Sequence, residues 1–438
     1  MIDKNLLDFS AEMRETCIKN DTISDILFKE YGVNRGLRDE KGKGVLTGLT
    51  GISKVIPNDG CGGQLWYRGY KVGELIDMFE GERYGFEKTA YLLLFGSLPD
   101  KDEAERFSSQ IAACRRLPSN FTRDIIMKAA SEDIMNSMSR SILALASYDK
   151  NIKSNDLAEI ISQCIYLTSV FPMLAVYSYH AYNHYNNGAS MFIHNPQKEL
   201  SSSENLLYML RPDNKYSELE AKVLEIALML HMEHGGGNNS TFTTRVVTSS
   251  GSDTYSTICA AMSSLKGPKH GGANIKVMEM MGDISKNIAD KTDDDEIENY
   301  LCKILNKETF DRQGLIYGMG HAVYSISDPR ELILKKYACE LASAKNMKNE
   351  LDLYLKVEKL APKVISKQRR MYKGVSPNVD FYSGFVYKML GIPVELYTPL
   401  FAVARIVGWC AHRIEEIVGS GKIIRPAYMS VMEEINKD

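Results

Sequence analysis

Paired thiolates are the first thing this sequence lacks. Its eight cysteines (Cys17, Cys61, Cys114, Cys164, Cys259, Cys302, Cys339 and Cys410) lie far apart, and no C-x-x-C spacing occurs. A cysteine-held zinc is therefore not expected, and scattered cysteines suit a reducing compartment. Neither sign of charge dominates: 53 Lys and Arg stand against 56 Asp and Glu, a net charge of -3. That balance offers no nucleic-acid surface, so basic groups that matter must act locally. No apolar run of membrane length is unbroken. The most apolar window, IISQCIYLTSVFPMLAVYSY from Ile160, is interrupted by Ser162, Gln163, Ser169 and Pro172. A buried helix is expected there, not a membrane span. The opening MIDKNLLDFSAEMRE has neither the layout of a signal peptide nor the acid-poor layout of a transit peptide. A cytoplasmic enzyme is the expectation. Repeats and low-complexity tracts are missing too. The nearest approach, ADKTDDDEIENY from Ala289, puts an acidic run before an apolar-periodic segment and suits a solvated helix start.

What is present is 44% hydrophobic and 25% charged residues in 438, enough to bury a sizeable core without covalent staples. FEKTAYLLLF from Phe86 and LEAKVLEIALMLHMEH from Leu219 match helical spacing better than alternation. Pro329 directly after Asp328 signals a helix start. The apolar-periodic stretch from Val379 to Gly419 breaks once, at Gly391-Ile392-Pro393. Strand-like material is confined to GVLTGLTGISKV from Gly44 and GQLWYRGY from Gly63. The expected fold class is mainly α-helical, with a few short strands near the N-terminus. Glycine clusters at 267–272 and 318–320, and Gly-Val-Ser-Pro at 374–377, are candidate hinges. The first and last flank a charged helical stretch that reads as a smaller inserted domain.

Four of the eight histidines sit beside glycine-rich or loop-forming sequence. They are His231 and His234 before GGGNN, His270 in GPKHGGAN, and His321 in GMGHAVYSISDPR. Glycine lets backbone approach a ligand closely, so imidazoles there are candidates for ligand contact, with a hydrogen-bonded structural histidine as the alternative at each. His231 and His234, and likewise His180 and His184, share a helical face. H-E-x-x-H is absent and no third ligand is indicated, so no metal is expected. No Gly-Lys-Ser/Thr follows the glycines, which excludes a P-loop. His180, His184, His194 and His412 are assigned to structure. Asp380, in SPNVDFYSG, is either a helix cap or a base. Arg330, Arg405 and Arg425 are isolated. Arg405 lies inside an apolar helical run, where a guanidinium must pair with something. A buried salt bridge and a carboxylate ligand held bidentately both satisfy it.

Together, HMEHGGGNNSTFTTRVV, GPKHGGAN, GMGHAVYSISDPR, PNVDFYSG, LFAVARIVGW and IRPAY resemble the citrate synthase family. The match is dense from His231 to Tyr428 and looser upstream, through GLTGIS, LWYRGY and FEKTAYLLLFGSLP; the first forty residues carry none of it. The resemblance implies a dimeric helical fold. A large domain (1–272 with 381–438) would carry a small CoA-binding domain (273–380) that closes over the site. It also implies the condensation of acetyl-CoA with oxaloacetate, followed by hydrolysis to citrate and CoA. By that resemblance His270 and Asp380 enolise the thioester and His321 polarises the ketone. His234, Arg330, Arg405 and Arg425 hold oxaloacetate, with Arg425 supplied by the partner subunit. Ser240 orients His270, with Asn238 beside it, and His231 has a supporting or structural role. The backbone of LIYGMGHA, with Leu315, Gly318 and Ala322, wraps the adenine of CoA. No bound cofactor is implied beyond the CoA thioester substrate, and no nucleic acid or membrane partner.

Two departures stand out. Many relatives have Asp-His-Glu where this chain has Glu233-His234-Gly235, and a basic residue at Ala322 or Ser325. Phosphate contacts must then come from elsewhere. Lys367, Arg369, Arg370 and Lys373 are candidates, and a solvated basic helix face is the alternative. Competing functions are a 2-methylcitrate synthase using propionyl-CoA, a non-catalytic CoA- or dicarboxylate-binding paralogue, and a metal hydrolase. One methylene changes discrimination by only about 1–3 kcal/mol, and no single residue decides it. The full set His270, His321 and Asp380 argues against a mere binding module.

Overall fold

The computed structural model describes residues 32–430, apart from 35, 42, 59, 61, 321–323, 325, 370–373 and 420–421. The chain divides into two compact units, one of residues 1–49 and 425–438, the other of residues 50–424. In the first, β1 (Val33–Asn34) and β2 (Arg38–Asp39) pair antiparallel, Val33 opposite Asp39. In the second, β3 (Ser53–Ile56), β4 (Gln64–Tyr67) and β5 (Tyr70–Lys71) form an antiparallel sheet in that order. Ser53 faces Tyr67, and Trp66 faces Lys71. The strand expected in GVLTGLTGISKV is confined to its end. Residues 45–50 join no ladder, since glycines at short intervals weaken a strand there.

The rest is helical, as expected. The helices are α1 (Val72–Phe79), α2 (Gly85–Phe95), α3 (Lys101–Cys114), α4 (Ile134–Ala146), α5 (Leu157–Asn187), α6 (Ser202–Leu210), α7 (Glu218–His231), α8 (Asn239–Ser249), α9 (Thr254–Leu265), α10 (Ala273–Asn287), α11 (Asp294–Leu305), α12 (Pro329–Ala344), α13 (Lys348–Arg369), α14 (Val379–Met389) and α15 (Tyr397–Gly419). Local chemistry sets their starts. Asp100, Ser201 and Ser217 each accept a bond from the N–H three residues on, and Glu103, Glu204 and Glu220 reach back to close capping boxes. Asp293 accepts from the N–H groups of Asp295 and Glu296, so the acidic run is indeed a helix start. Asp328 caps α12, with Pro329 in the first turn, where a missing N–H costs nothing.

The two longest apolar helices pack on each other. α5 contains the interrupted apolar window; it is long enough to cross a membrane, yet most of it is buried inside the protein. α15 packs on α5 and also on α2, α7 and α8. Farther along, α14 packs on α10 and α12, and α13 on α11. α15 passes the end of α7 so closely that a Cβ at Gly408 would lie 2.4 Å from the Met232 carbonyl oxygen and 2.4 Å from Glu233 Oε2. Gly408→Ala should therefore lower stability by about 1–3 kcal/mol, because a backbone carbonyl must move. Urea midpoints of the two proteins would measure this. An unchanged midpoint would mean the end of α7 has slack.

Candidate active site

One face of α15 gathers the site. Arg405, Trp409 and His412 follow each other at intervals of four and three, so they share a helical face. Each holds a different piece of chain. Arg405 Nε donates to the His231 carbonyl at the end of α7, 2.7 Å away. Trp409 Nε1 donates to Ser240 Oγ on α8 at 3.1 Å. His412 Nε2 donates to Glu233 Oε1 at 3.0 Å.

Arg405 is 0% exposed, yet its Nη1 and Nη2 have no hydrogen-bond partner among the described residues. The Phe401 ring lies 4.7 Å from its guanidinium carbon. A cation on an aromatic face gains something, but far less than burial costs. Burial pulls the guanidinium down to about 10, against the pull of the Glu233 carboxylate. No ion pair with an acid answers this charge among the described residues, so the salt-bridge alternative fails locally. What the geometry offers is a bidentate seat for an anion.

His270 lies in the turn between α9 and α10. The Gly267 carbonyl accepts from both His270 N and Gly271 N, at 2.8 and 3.1 Å, and Thr398 Oγ1 on α15 donates to the Gly271 carbonyl at 2.9 Å. His270 Nε2 is 3.0 Å from Ser240 Oγ, whose hydroxyl donates to Asn238 Oδ1 at 2.9 Å. Ser240 lies against His270, with Asn238 and Trp409 bonded to its hydroxyl. Burial, aided by Arg405, lowers the His270 imidazole to about 4. It is neutral at physiological pH and can serve as a hydrogen-bond donor or acceptor without carrying charge.

Asp380 is not the cap of its helix. Asn378 caps α14, its Oδ1 accepting from Asp380 N at 3.0 Å, which leaves the Asp380 carboxyl available. Burial pushes that carboxyl up to about 6, while Arg330 and Arg405 pull it down. Arg330 turns out not to be isolated. Its Nε and Nη2 fork onto Asp328 at 3.0 and 2.7 Å, both side chains being buried. Burial alone would lower the Arg330 guanidinium; Asp328 more than offsets this and holds it charged. Asp328 Oδ2 also accepts from Val379 N at 3.2 Å, tying the start of α12 to the start of α14. Arg405 acts electrostatically on both His270 and Asp380, so the turn, α14 and α15 bring their groups within reach of one another.

The glycine loop leading to His321 runs alongside. Met319 bridges Pro377, Gly320 N donates to the Ser376 carbonyl at 2.7 Å, and Asn378 N donates to the Gly318 carbonyl at 2.9 Å. Gly318 has φ +76°, and a Cβ there would lie 2.8 Å from Val277 and 2.9 Å from Phe381. Only glycine fits that approach. His321, Ala322 and Lys373 lie outside the described residues. His234 is buried just past α7, its ring edge-on to Tyr324 at 5.5 Å. His231 has a structural bond, Nδ1 to the Ala227 carbonyl at 2.6 Å, and burial lowers it to about 3. Leu315 is exposed, and Lys367 is an exposed residue 3.7 Å from Glu298. Arg425 is exposed and belongs to the unit formed by the chain ends.

Residue-by-residue inspection of the sequence misses several participants. Asp328 was legible only as a helix start, although its two-residue offset from Arg330 was a signal. Trp409 and His412 are signalled by their spacing from Arg405. Tyr67, whose hydroxyl lies 3.1 Å from the Glu233 carbonyl and 3.2 Å from that of Met229, had no local signal at all.

A model of the citrate synthase C-terminal domain matches residues 38–427. A citrate synthase of Synechocystis is 34% identical over 391 residues, covering 88% of this chain and 90% of the relative. Among solved structures, citrate synthase from Thermotoga maritima superposes with a TM-score of 0.73 at 31% identity, over 92% of this chain and 97% of its own. The ternary complex of carboxymethyl coenzyme A and oxaloacetate with citrate synthase from Thermoplasma acidophilum gives 0.76 at 26% identity, over 90% and 96%. By family model, sequence and fold, the chain belongs to the citrate synthase family of transferases.

Proposed function

We propose that this enzyme condenses acetyl-CoA with oxaloacetate and hydrolyses the resulting citryl-CoA to citrate and CoA. The observation that supports this best is the buried Arg405, whose two terminal nitrogens have no partner among the described residues, beside a carboxyl raised to about 6 and a histidine lowered to about 4. A dicarboxylate answers the guanidinium. A thioester methyl proton is too weakly acidic for a carboxylate alone, so charge developing on the carbonyl oxygen needs a donor at once. His270 is proposed as that donor through Nδ1–H, with the Ser240 hydroxyl turning from Asn238 to donate to Nε2, and Asp380 as the base. His321 would polarise the ketone. His234 and Arg330 would hold oxaloacetate with Arg405. Leu315, Gly318, Ala322, Lys367 and Lys373 are proposed for CoA. Residues 273–380 would form the domain that closes and keeps water out until carbon–carbon bond formation is done. We place the enzyme in the cytoplasm, in keeping with its scattered cysteines. The decisive assay is oxaloacetate-dependent release of CoA thiol, with acetyl- and propionyl-CoA side by side. Faster turnover of propionyl-CoA would make it a 2-methylcitrate synthase.

Asp380→Asn should lower kcat by about 10²–10⁴ while leaving oxaloacetate affinity nearly intact, because a base acts in the transition state. In the wild type the rate should fall as pH drops through about 6, where Asp380 takes up its proton. Near-normal turnover of the variant would remove Asp380 from the chemistry.

Arg405→Leu should weaken oxaloacetate by about thirtyfold or more, the scale of losing one partner of a buried charge pair, about 2–5 kcal/mol. Acetyl-CoA affinity should stay within about twofold. Calorimetric titration with each ligand separates the two, and an equal loss for both would point to general destabilisation.

We further propose a homodimer in which Arg425 serves the partner's site. Mixed dimers of Asp380→Asn and Arg425→Ala chains, isolated by two tags, would then hold one whole site and one lacking both groups. They should recover about half the wild-type activity per dimer, by counting intact sites. Activity at the parental background would show that Arg425 acts within its own chain.

A further inference from the structure

We propose that His412, which touches no substrate, sets the strength of dicarboxylate binding by neutralising Glu233 behind Arg405. This rests on the assignment of Arg405 to oxaloacetate. Glu233 and His412 both have fully buried side chains. One carboxylate oxygen, Glu233 Oε1, accepts three bonds: from His412 Nε2 at 3.0 Å, Ser53 Oγ at 2.9 Å and Gly235 N at 2.6 Å. Three donors thus hold the acid, and its Oε2 lies against Gly408, one helical turn from Arg405, where a Cβ would come within 2.4 Å of it; no other carboxylate acts as strongly on Arg405. Left uncompensated, it would offset the guanidinium charge and repel an incoming dianion. In a buried setting such an interaction is screened weakly.

His412 supplies the compensation. Its other nitrogen, Nδ1, lies 3.6 Å from Glu415 Oε2 on the same helix. Glu415 is occupied on its other oxygen by Gly51 N at 2.7 Å, with Arg68 acting on it from the end of β4. From α8, Arg245 comes close to the Gly236 backbone and pairs with Glu416 at 3.2 Å. Among the described residues, these are the charged groups near the imidazole, and Glu233 and Glu415 act on it most. Burial alone would lower His412, but Glu233 and then Glu415 raise it to about 9; Glu233 is held at about 2. Both partners are thus ionised at neutral pH. Since the folded value of His412 lies above its ordinary 6.5, the masking is complete below that pH and is lost as pH rises through about 9.

The test measures oxaloacetate affinity by calorimetry and kcat by thiol release, in wild type, His412→Gln, Glu233→Gln and Glu233→Gln/His412→Gln. His412→Gln should weaken oxaloacetate about tenfold or more, about 1.4 kcal/mol. Its saturated turnover should suffer far less than its affinity, since His412 acts on binding. The double variant should regain most of the affinity, because the unmasked carboxylate is gone, and Glu233→Gln alone should bind at least as well as wild type. A structural role predicts the reverse, a double variant as weak as the single or weaker, and that result overturns the proposal. If His412→Gln fails to fold, Glu233→Gln and the wild-type affinity between pH 7 and about 9 still decide. A tenfold weaker Glu233→Gln, or a flat pH profile, would also refute masking. Wild-type protein that binds no oxaloacetate would overturn the substrate assignment and the masking together. Normal wild-type binding with unresponsive variants would overturn the masking alone.

Discussion

A guanidinium sealed from water, two of its nitrogens without a partner among the described residues, is the constraint on which the rest of this structure depends. Arg405 is carried in an apolar stretch of its helix, between Leu400 and Ala411, so its buried charge is costly without an anion beside it. The fold keeps it in place by making α15 part of the core, packed on α5 and against the end of α7. Gly408 allows that close passage, and Arg405 Nε itself binds the last turn of α7 through the His231 carbonyl. A charge held in this way, before any ligand is present, is the kind of arrangement that would favour anion binding over collapse.

The same burial acts in opposite directions on the two groups proposed to perform enolisation. It lowers the imidazole and raises the carboxyl, because removing water always disfavours the charged form. His270 ends at about 4 and Asp380 at about 6. In the proposed roles, a neutral histidine would act as the donor, and a carboxylate raised to about 6 would be a stronger base than an ordinary aspartate. Arg405 lowers both, reinforcing the effect of burial on His270 and opposing it on Asp380, so an anion placed at Arg405 would change the field at both groups.

Backbone pairing does the remaining positioning. The 318–320 segment runs beside 376–378, and Asp328 joins the starts of α12 and α14 while forking onto Arg330. Loop, base and arginine are therefore referenced to one local frame. A displacement of α14 would carry Asp380 and the glycine loop together, which suits a proposed closing domain better than independently hinged loops would.

The sequence by itself determined the helical class, the helix starts and the identity of the candidate groups. Helical periodicity and capping boxes such as Ser217 with Glu220 are local, and a histidine among glycines or an arginine in an apolar run is visible without any contact map. Partnership was not visible. Asp380 could be a cap or a base until Asn378 was seen to hold the cap, and Arg330 seemed isolated until Asp328 folded back onto it. Whether Arg405 had a buried acid was undecidable in one dimension, and so was the placement of Tyr67 under the end of α7 or of His412 against Glu233. Charge compensation and desolvation depend on distance through space between residues far apart in the chain. Tertiary packing alone decided which charges are answered and which are left for a ligand.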